Sequence, residues 1–216
     1  MLYNPPIFLN RQDAGKKLGA RLKTLNFKNP VILAIPNGGL PVGNKITRAL
    51  NCPLKILIVR KIQIPENPEA GFGAVTTDGT IVLNPKIAPF LGLSKKEIHN
   101  LAKNVIKEMK RREKIFKKKT KTFSIKGKTV ILTDDGLASG YTMLAAIKSV
   151  RKLNPSKLIV AVPTASGSAI NEVKPKVDAL ITLYKHPKEL PFAVASSYKN
   201  WQDLTDKEVL KYLHNV

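Results

Sequence analysis

Apolar and polar positions fall in blocks along this chain, and their spacing predicts strands and helices taking turns. Pro30-Val31-Ile32-Leu33-Ala34-Ile35, Leu54-Lys55-Ile56-Leu57-Ile58-Val59, Val130-Ile131-Leu132, Leu158-Ile159-Val160-Ala161-Val162 and Ala179-Leu180-Ile181-Thr182-Leu183 are short apolar runs bounded by turn formers. Such runs fit strands buried on both faces. Between them, apolar residues recur at helical spacing. Leu18, Leu22 and Leu25 follow Asp13, a candidate cap, and a short helix is expected from about Pro41 to Leu50. Leu144, Ala145, Ile147, Ser149, Val150 and Leu153 precede the stop Asn154-Pro155, and a further helix is expected near Ser168–Val173. Ser94-Lys95-Lys96-Glu97 has the form of a capping box opening a helix through Ile98, Leu101, Val105, Ile106 and Met109.

Three connecting stretches complete the pattern. Residues 1–10 are expected to form an arm packed by Ile7, Phe8 and Leu9, and Arg60 to Gly71, with Pro65 and Pro68, to form a long loop. Asp78-Gly79, between Ala74–Thr77 and Thr80–Asn84, predicts a hairpin with a type I′ turn. Strands alternating with helices mean an α/β fold, here one domain over residues 1–216 with a mainly parallel sheet flanked by helices and a small hairpin region.

Composition narrows the setting. Hydrophobic residues make up 43% of 216, enough for a packed core. No apolar run approaches membrane-spanning length, and Met1–Pro6 lacks a signal peptide's basic start and apolar stretch. A single cysteine, Cys52 beside Pro53, excludes an intrachain disulfide, fits the cytoplasm and has the setting of a packed small residue. The formal net charge of +22 has two readings: an anionic partner such as nucleic acid or a polyphosphate, or the lysine-rich surface of a heat-adapted protein. The dense block from Lys107 to Lys121 is first a solvated helix end and second a nucleic-acid footprint. No His/Cys/carboxylate spacing suggests structural zinc, and His99 and His214 have the setting of surface residues.

Candidate chemistry concentrates in Val130-Ile131-Leu132-Thr133-Asp134-Asp135-Gly136-Leu137-Ala138-Ser139-Gly140-Tyr141-Thr142. Two acids at the carboxyl end of a buried strand stand where open α/β sheets bind ligands. The small-residue turn behind them offers backbone N–H groups, hydroxyls and a helix N-terminus, all suited to phosphate. Carboxylates repel phosphate, so the acids must face sugar hydroxyls or a metal; a phosphorylated sugar satisfies both halves. The competing reading makes the acids only favourable charges at a helix start. Pro36-Asn37-Gly38-Gly39, at another strand end, permits close backbone approach to a ligand or simply a tight turn. Arg60-Lys61 present two cations after a strand. Gly71-Phe72-Gly73 is no dinucleotide fingerprint, because Val75 and Thr76 stand where the last glycine belongs.

Residues 130–142 resemble the motif by which type I phosphoribosyltransferases bind PRPP (5-phosphoribosyl 1-pyrophosphate), with Asp134-Asp135 as its acids and Ala138-Ser139-Gly140-Tyr141-Thr142 as its phosphate loop. The resemblance follows nearly the whole chain in element order and implies that family's fold. It implies that Asp134 and Asp135 are catalytic, holding the ribose 2′- and 3′-hydroxyls, and that Ala138, Ser139, Gly140, Tyr141 and Thr142 wrap the 5′-phosphate. Asn37, Gly38 and Gly39 would form the pyrophosphate loop, with Asn37 where a related branch has Arg, and Arg60 and Lys61 would aid it ahead of a lid including Glu66, Glu69, Gly71 and Gly73. Tyr184 and Phe192 stand near the family's base-stacking segment, with Ser196-Ser197 near its polar partner. The cofactor implied is Mg²⁺, bridging pyrophosphate and ribose oxygens with no direct protein ligand, and a homodimer is implied. Ala138 departs from the guanine/hypoxanthine enzymes, which commonly place an acid there. The implied activity is transfer of phosphoribose from PRPP to a nitrogenous, purine-like base in nucleotide metabolism. The alternative is a PRPP-sensing regulator binding nucleic acid through its basic surface, and a third reading, Asp134 as a phosphoryl acceptor, leaves the Ser139–Thr142 loop without a role.

Overall fold

A computed structural model describes residues 7–65, 67–117, 124–187 and 192–213, with backbone alone at Pro68, Glu69 and Lys117. The elements follow in the order α1 (Arg11–Lys23), β1 (Pro30–Ala34), α2 (Gly39–Leu50), β2 (Leu54–Ile56), β3 (Val59–Ile64), β4 (Asn67–Thr76), β5 (Ile81–Leu83), α3 (Lys95–Lys117), β6 (Thr129–Thr133), α4 (Tyr141–Arg151), β7 (Lys157–Ser166), α5 (Gly167–Val173), β8 (Ala179–His186) and α6 (Asp206–Lys211). Five strands form one parallel sheet in the order β2-β1-β6-β7-β8. Three form a small antiparallel sheet, β3-β4-β5.

The apolar runs of β1, β6 and β7 are buried on both faces because alternate residues serve different helices, whereas the edge strands β2 and β8, expected to be as deeply buried, are largely half-buried. Ile32, Ala34, Ile131, Ile159 and Ala161 pack with Leu18 and Leu22 of α1 and Leu40, Val42 and Ile46 of α2. Val31, Leu33, Val130, Leu132, Leu158 and Val160 pack against Met143, Ala146, Ile147 and Val150 of α4. Each Val, Leu, Ile or Met side chain among these contributes about 1.5–3 kcal/mol of burial energy. Helices α1 and α2 approach closely at Gly15, where a Cβ would come within 2.8 Å of the Val42 carbonyl oxygen.

Several expectations are corrected. The stretch from Arg60 to Gly71 is no open loop but most of the β3–β4 hairpin, with register shifts on either side of Gln63. Its two prolines obscured the buried Ile62 and Phe72, which anchor it in the core. The run Leu54–Val59 breaks after Ile56: the Leu57 N–H bonds the Ala34 carbonyl, and the chain leaves the parallel sheet. The β4–β5 turn is a three-residue loop, Thr77–Gly79, left-handed at Gly79 alone, so it is not type I′. Asn10 rather than Asp13 caps α1, its side chain accepting from the Asp13 N–H, and α1 ends at Lys23 with Leu25 exposed. Of the arm, Phe8 is buried against Tyr198 while Ile7 and Leu9 are exposed, and residues 1–6 lie outside the described residues. The capping box at Ser94 is present, with Glu97 accepting from the Ser94 N–H and hydroxyl. Cys52 is packed and burial pushes its thiol up to about 11.

Candidate functional site

Strand β1 has β2 on one side and β6 on the other, so the connections from β1 and β6 diverge and leave a crevice at their carboxyl ends, where open α/β sheets bind ligands. Ala34 stands beside Thr133 in register, and the Ile35 N–H bonds the Thr133 carbonyl at 2.9 Å. The turn Pro36–Gly39, with a cis Pro36–Asn37 peptide, therefore lies directly over Asp134 and Asp135. A Cβ on Gly38 would collide with the Asp135 carboxyl, and one on Gly39 would come within 2.8 Å of the Thr133 carbonyl oxygen. Both glycines are needed for that approach.

Burial pushes the Asp134 carboxyl well above the usual carboxylate range, and the charge of Asp135 adds to the rise. Burial also raises Asp135, against the opposing pull of Arg11. The Arg11 Nε donates to Asp135 Oδ2 at 2.7 Å, its Nη1 donates to the Gln202 carbonyl at 2.8 Å, and its guanidinium lies 3.8 Å from the Trp201 ring centroid. Tyr198 donates its hydroxyl to the Asp135 carbonyl oxygen at 2.5 Å. Asp134 Oδ1 accepts from the Asp135 N–H at 2.8 Å. The acid pair is thus fixed through Asp135, and Asp134 carries the less compensated carboxyl.

Behind the acids the chain is clamped by backbone. The Leu137 N–H bonds the Thr164 carbonyl, the Ser166 N–H bonds the Leu137 carbonyl, and the Ser166 hydroxyl donates to the Ala138 carbonyl at 2.6 Å. Val194 and Thr164 press on Gly136. Ala138 and Ser139 are exposed, Gly140 is left-handed with φ 83°, and α4 begins at Tyr141 with no side-chain cap. Leu144 is the residue whose N–H returns to the Gly140 carbonyl. The first-turn amides of Tyr141, Thr142 and Met143 therefore face the loop as donors at the positive end of an 11-residue helix.

Beside the glycine turn, at Asn37, lies a cavity of about 780 Å³ lined by Asn37, Arg60, Asn104, Lys107, Glu108, Arg111, Arg112, Thr205 and Asp206. Asn37 is spent on protein contacts: its amide donates to the Leu204 carbonyl at 2.5 Å and accepts from Arg112 Nη2 at 2.7 Å. Arg112 also forks onto the Asp206 carboxylate, with its Nε 2.8 Å from Oδ2. Arg60 lines the cavity, 3.4 Å from Glu108. Lys61 is exposed on β3 and lies outside the cavity lining, so the pair Arg60-Lys61 is divided.

A sequence profile described as "Phosphoribosyl transferase domain" matches residues 9–190. The chain belongs to the phosphoribosyl transferase domain family. Two Mycobacterium tuberculosis proteins, from strains CDC 1551 / Oshkosh and ATCC 25618 / H37Rv, carry phosphoribosyl transferase as a provisional name and are each 32% identical over 207 residues. That match takes in 96% of this chain and 46% of theirs, so the chain spans about half the length of these relatives. The crystal structure of TT1426 from Thermus thermophilus is 31% identical, with a TM-score of 0.79 over 96% of this chain and 97% of that one. AQ2163 from Aquifex aeolicus shares the fold at 12% identity, with a TM-score of 0.51 over 82% of this chain and 76% of that one. The parallel sheet with its small antiparallel companion agrees with the type I architecture.

Within this phosphoribosyl transferase domain, the remaining sequence candidates fall out as follows. Tyr184 lies inside β8, and Tyr184 and Phe192 flank His186, with ring centroids 6.3 and 4.9 Å from it. Ser197 donates to Thr164 Oγ1 and is buried, while Ser196 is exposed and bonds Ala193. Of the expected lid, Glu66 lies outside the described residues, as does the Glu69 side chain, while Gly71 and Gly73 lie in β4. His99 is exposed and His214 lies outside the described residues. Sequence reasoning missed Arg11, Tyr198, Trp201, Arg112 and Asp206. Arg11 opens a helix whose apolar spacing gives no hint of its role, and Arg112 sits in a basic block that resembles a solvated face. No helix among the described residues is long and apolar enough to cross a membrane.

Proposed function

We propose that the chain is a Mg²⁺-dependent phosphoribosyltransferase that binds PRPP, releases pyrophosphate and joins a nitrogenous, purine-like acceptor to ribose C1. The carrying observation is the union of an acid pair with an uncapped helix N-terminus across the switch point of the sheet. Phosphate suits the amides of Tyr141 and Thr142 and the hydroxyls of Ser139 and Thr142, and sugar hydroxyls suit the carboxylates one turn away. Asp134 and Asp135 accept from the 2′- and 3′-hydroxyls and stabilise the positive character the ribose ring gains as the C1–O bond lengthens. Arg11 and Tyr198 hold Asp135 in place for that task.

Among the described residues no cluster of three or more His, Cys, Asp or Glu side chains forms a metal cage. Mg²⁺ would be held mainly by oxygens of PRPP and water. When bound, it would supply charge neutralisation for the departing diphosphate. The half-buried rings of Tyr184 and Phe192 favour a planar acceptor.

Calorimetric titration of PRPP, with and without Mg²⁺, followed by assay of pyrophosphate release across a panel of bases, tests the reading. Mg²⁺-dependent binding with turnover supports it. Binding without turnover on any base favours the sensing regulator, and absence of binding by folded protein rejects both.

A further inference from the structure

The glycine turn carries no cation of its own, since the side chain at its head is Asn37 and both of that side chain's polar atoms are engaged by Leu204 and Arg112. Charge arrives instead from a helix. Asn104, Lys107, Glu108, Arg111 and Arg112 recur at the i, i+3, i+4, i+7, i+8 spacing of one face of α3, and all five line the cavity beside the turn. The opposite face of α3 buries Ala102, Met109 and Phe116 in the core, so the charged stripe is held against the cavity. Resting on the function proposed above, we infer that α3 supplies the leaving-group cations: Arg112, with Lys107 and Arg111, binds the diphosphate of PRPP in this chamber.

The local charges suit an anion. Four cations, Arg60, Lys107, Arg111 and Arg112, face two carboxylates, Glu108 and Asp206. Lys107 and Arg111 make no ion pair or hydrogen bond among the described residues and are exposed to the chamber. Arg112 spends Nε and Nη2 on Asp206 and Asn37, and its Nη1, with two further N–H donors, has no protein acceptor among the described residues. Its bond to Asn37 ties the guanidinium to the turn whose amides adjoin the acid pair. In the transfer, the C1–O bond breaks with its electron pair leaving on pyrophosphate while the acceptor nitrogen bonds C1 and releases its proton to solvent. Negative charge therefore grows on the leaving diphosphate, where a planar guanidinium and two flexible cations bind it more tightly than in the ground state.

The test titrates the 216-residue chain, with Mg²⁺, against PRPP, inorganic pyrophosphate and ribose 5-phosphate. Lys107→Met/Arg111→Met changes exposed side chains, and Arg112→Gln is read beside its thermal melt. The expected result is PRPP and pyrophosphate affinity reduced about 10-fold or more in each, from loss of charge-assisted bonds, with ribose 5-phosphate affinity unchanged. If Arg112→Gln unfolds, the double variant decides. PRPP and pyrophosphate binding that survives intact in the double variant overturns the inference and leaves the proposed function standing. Wild type that binds neither PRPP nor ribose 5-phosphate overturns the proposed function itself, which is a distinguishable failure.

Discussion

The two halves of the candidate site offer donors of opposite kinds. The loop Ala138 to Thr142 is contiguous in sequence and neutral, and it is anchored to β7 by backbone bonds at Leu137 and by the Ser166 hydroxyl at Ala138. Its donors are amides and hydroxyls that need no counter-charge. The chamber beside Asn37 is assembled from four separate segments, the turn after β1, β3, α3 and the stretch Thr205–Asp206, and its donors are charged side chains. Buried or half-buried charges must be balanced, and here Asp206 balances Arg112 as Arg11 balances Asp135, while Arg60 and Glu108 pair at the exposed rim. One half is rigid by hydrogen bonding, and the other depends on ion pairs that a ligand would compete for.

The sharpest way to expose that dependence is Arg11→Met. Arg11 and Asp135 are 9% and 14% exposed at their side chains, so removing one partner strands the other. A loss of about 3–5 kcal/mol is expected from breaking such a pair, read by urea denaturation. The pH dependence carries a definite sign. Arg11 lowers the Asp135 pKa, so its contribution requires the ionised carboxylate and fades as pH falls through the folded value. The gap between wild type and variant should therefore widen from acid to neutral pH, and a constant gap would show that Arg11 acts through Trp201 and Gln202 instead.

The acid pair itself should separate function from stability. Asp134→Asn and Asp135→Asn are each expected to lower PRPP affinity or turnover on the order of 10²-fold, as loss of a preorganised electrostatic group does. Their melting temperatures should diverge. Asp134 has a raised pKa, so its favourable term belongs to the protonated form, is present at acid pH and is lost as pH rises through the folded value. At neutral pH burial of this acid is therefore destabilising, and Asp134→Asn should melt higher than wild type. Asp135→Asn leaves Arg11 buried without its carboxylate and should melt lower. Equal shifts in the two variants would break the assignment of Arg11 to Asp135 alone.

The same contrast explains what could be read from the chain. The acids and the loop are neighbours in sequence, so strand, turn and helix start are visible together in Val130–Thr142. Gly38-Gly39 is legible as a tight approach, though not what it approaches. Arg11 meets Asp135 across 124 positions, and Arg112 meets Asn37 across 75 and Asp206 across 94. No periodicity encodes such pairings, and a charged side chain on a helix looks the same whether it faces water or a chamber. The β3–β4 hairpin was hidden for a related reason: its strands bulge around Gln63 and carry polar residues on the face away from the core. Tyr184 and Phe192 were placed together, but the His186 ring between them emerges only from the path of β8.

Gly38 seats the turn beside the chamber on the acid pair, and Gly38→Ala tests that contact directly. The added methyl meets the Asp135 carboxyl, which Arg11 and Tyr198 prevent from moving aside. Overpacking of this kind costs about 1–3 kcal/mol, measurable by thermal melting, and PRPP binding should fall with it. Gly79→Ala is the control, since Gly79 is left-handed with open space around its Cβ direction, so stability falls there while binding holds.

The smallest effects should be the most diagnostic of the opposing designs. Ser139→Ala removes one neutral donor from a loop that keeps its amides, so ribose 5-phosphate affinity should fall by about 0.5–1.5 kcal/mol with little dependence on salt. Arg60→Gln removes a charge from an exposed pair with Glu108, worth about 0–1 kcal/mol to folding. Its effect on pyrophosphate affinity should be clear at low ionic strength and shrink as salt screens the chamber. Titrating both variants across a salt series therefore compares the halves on one axis. Parallel salt slopes would mean that the chamber, like the loop, binds through fixed backbone dipoles, and that the ion pairs around Arg112 serve the fold alone.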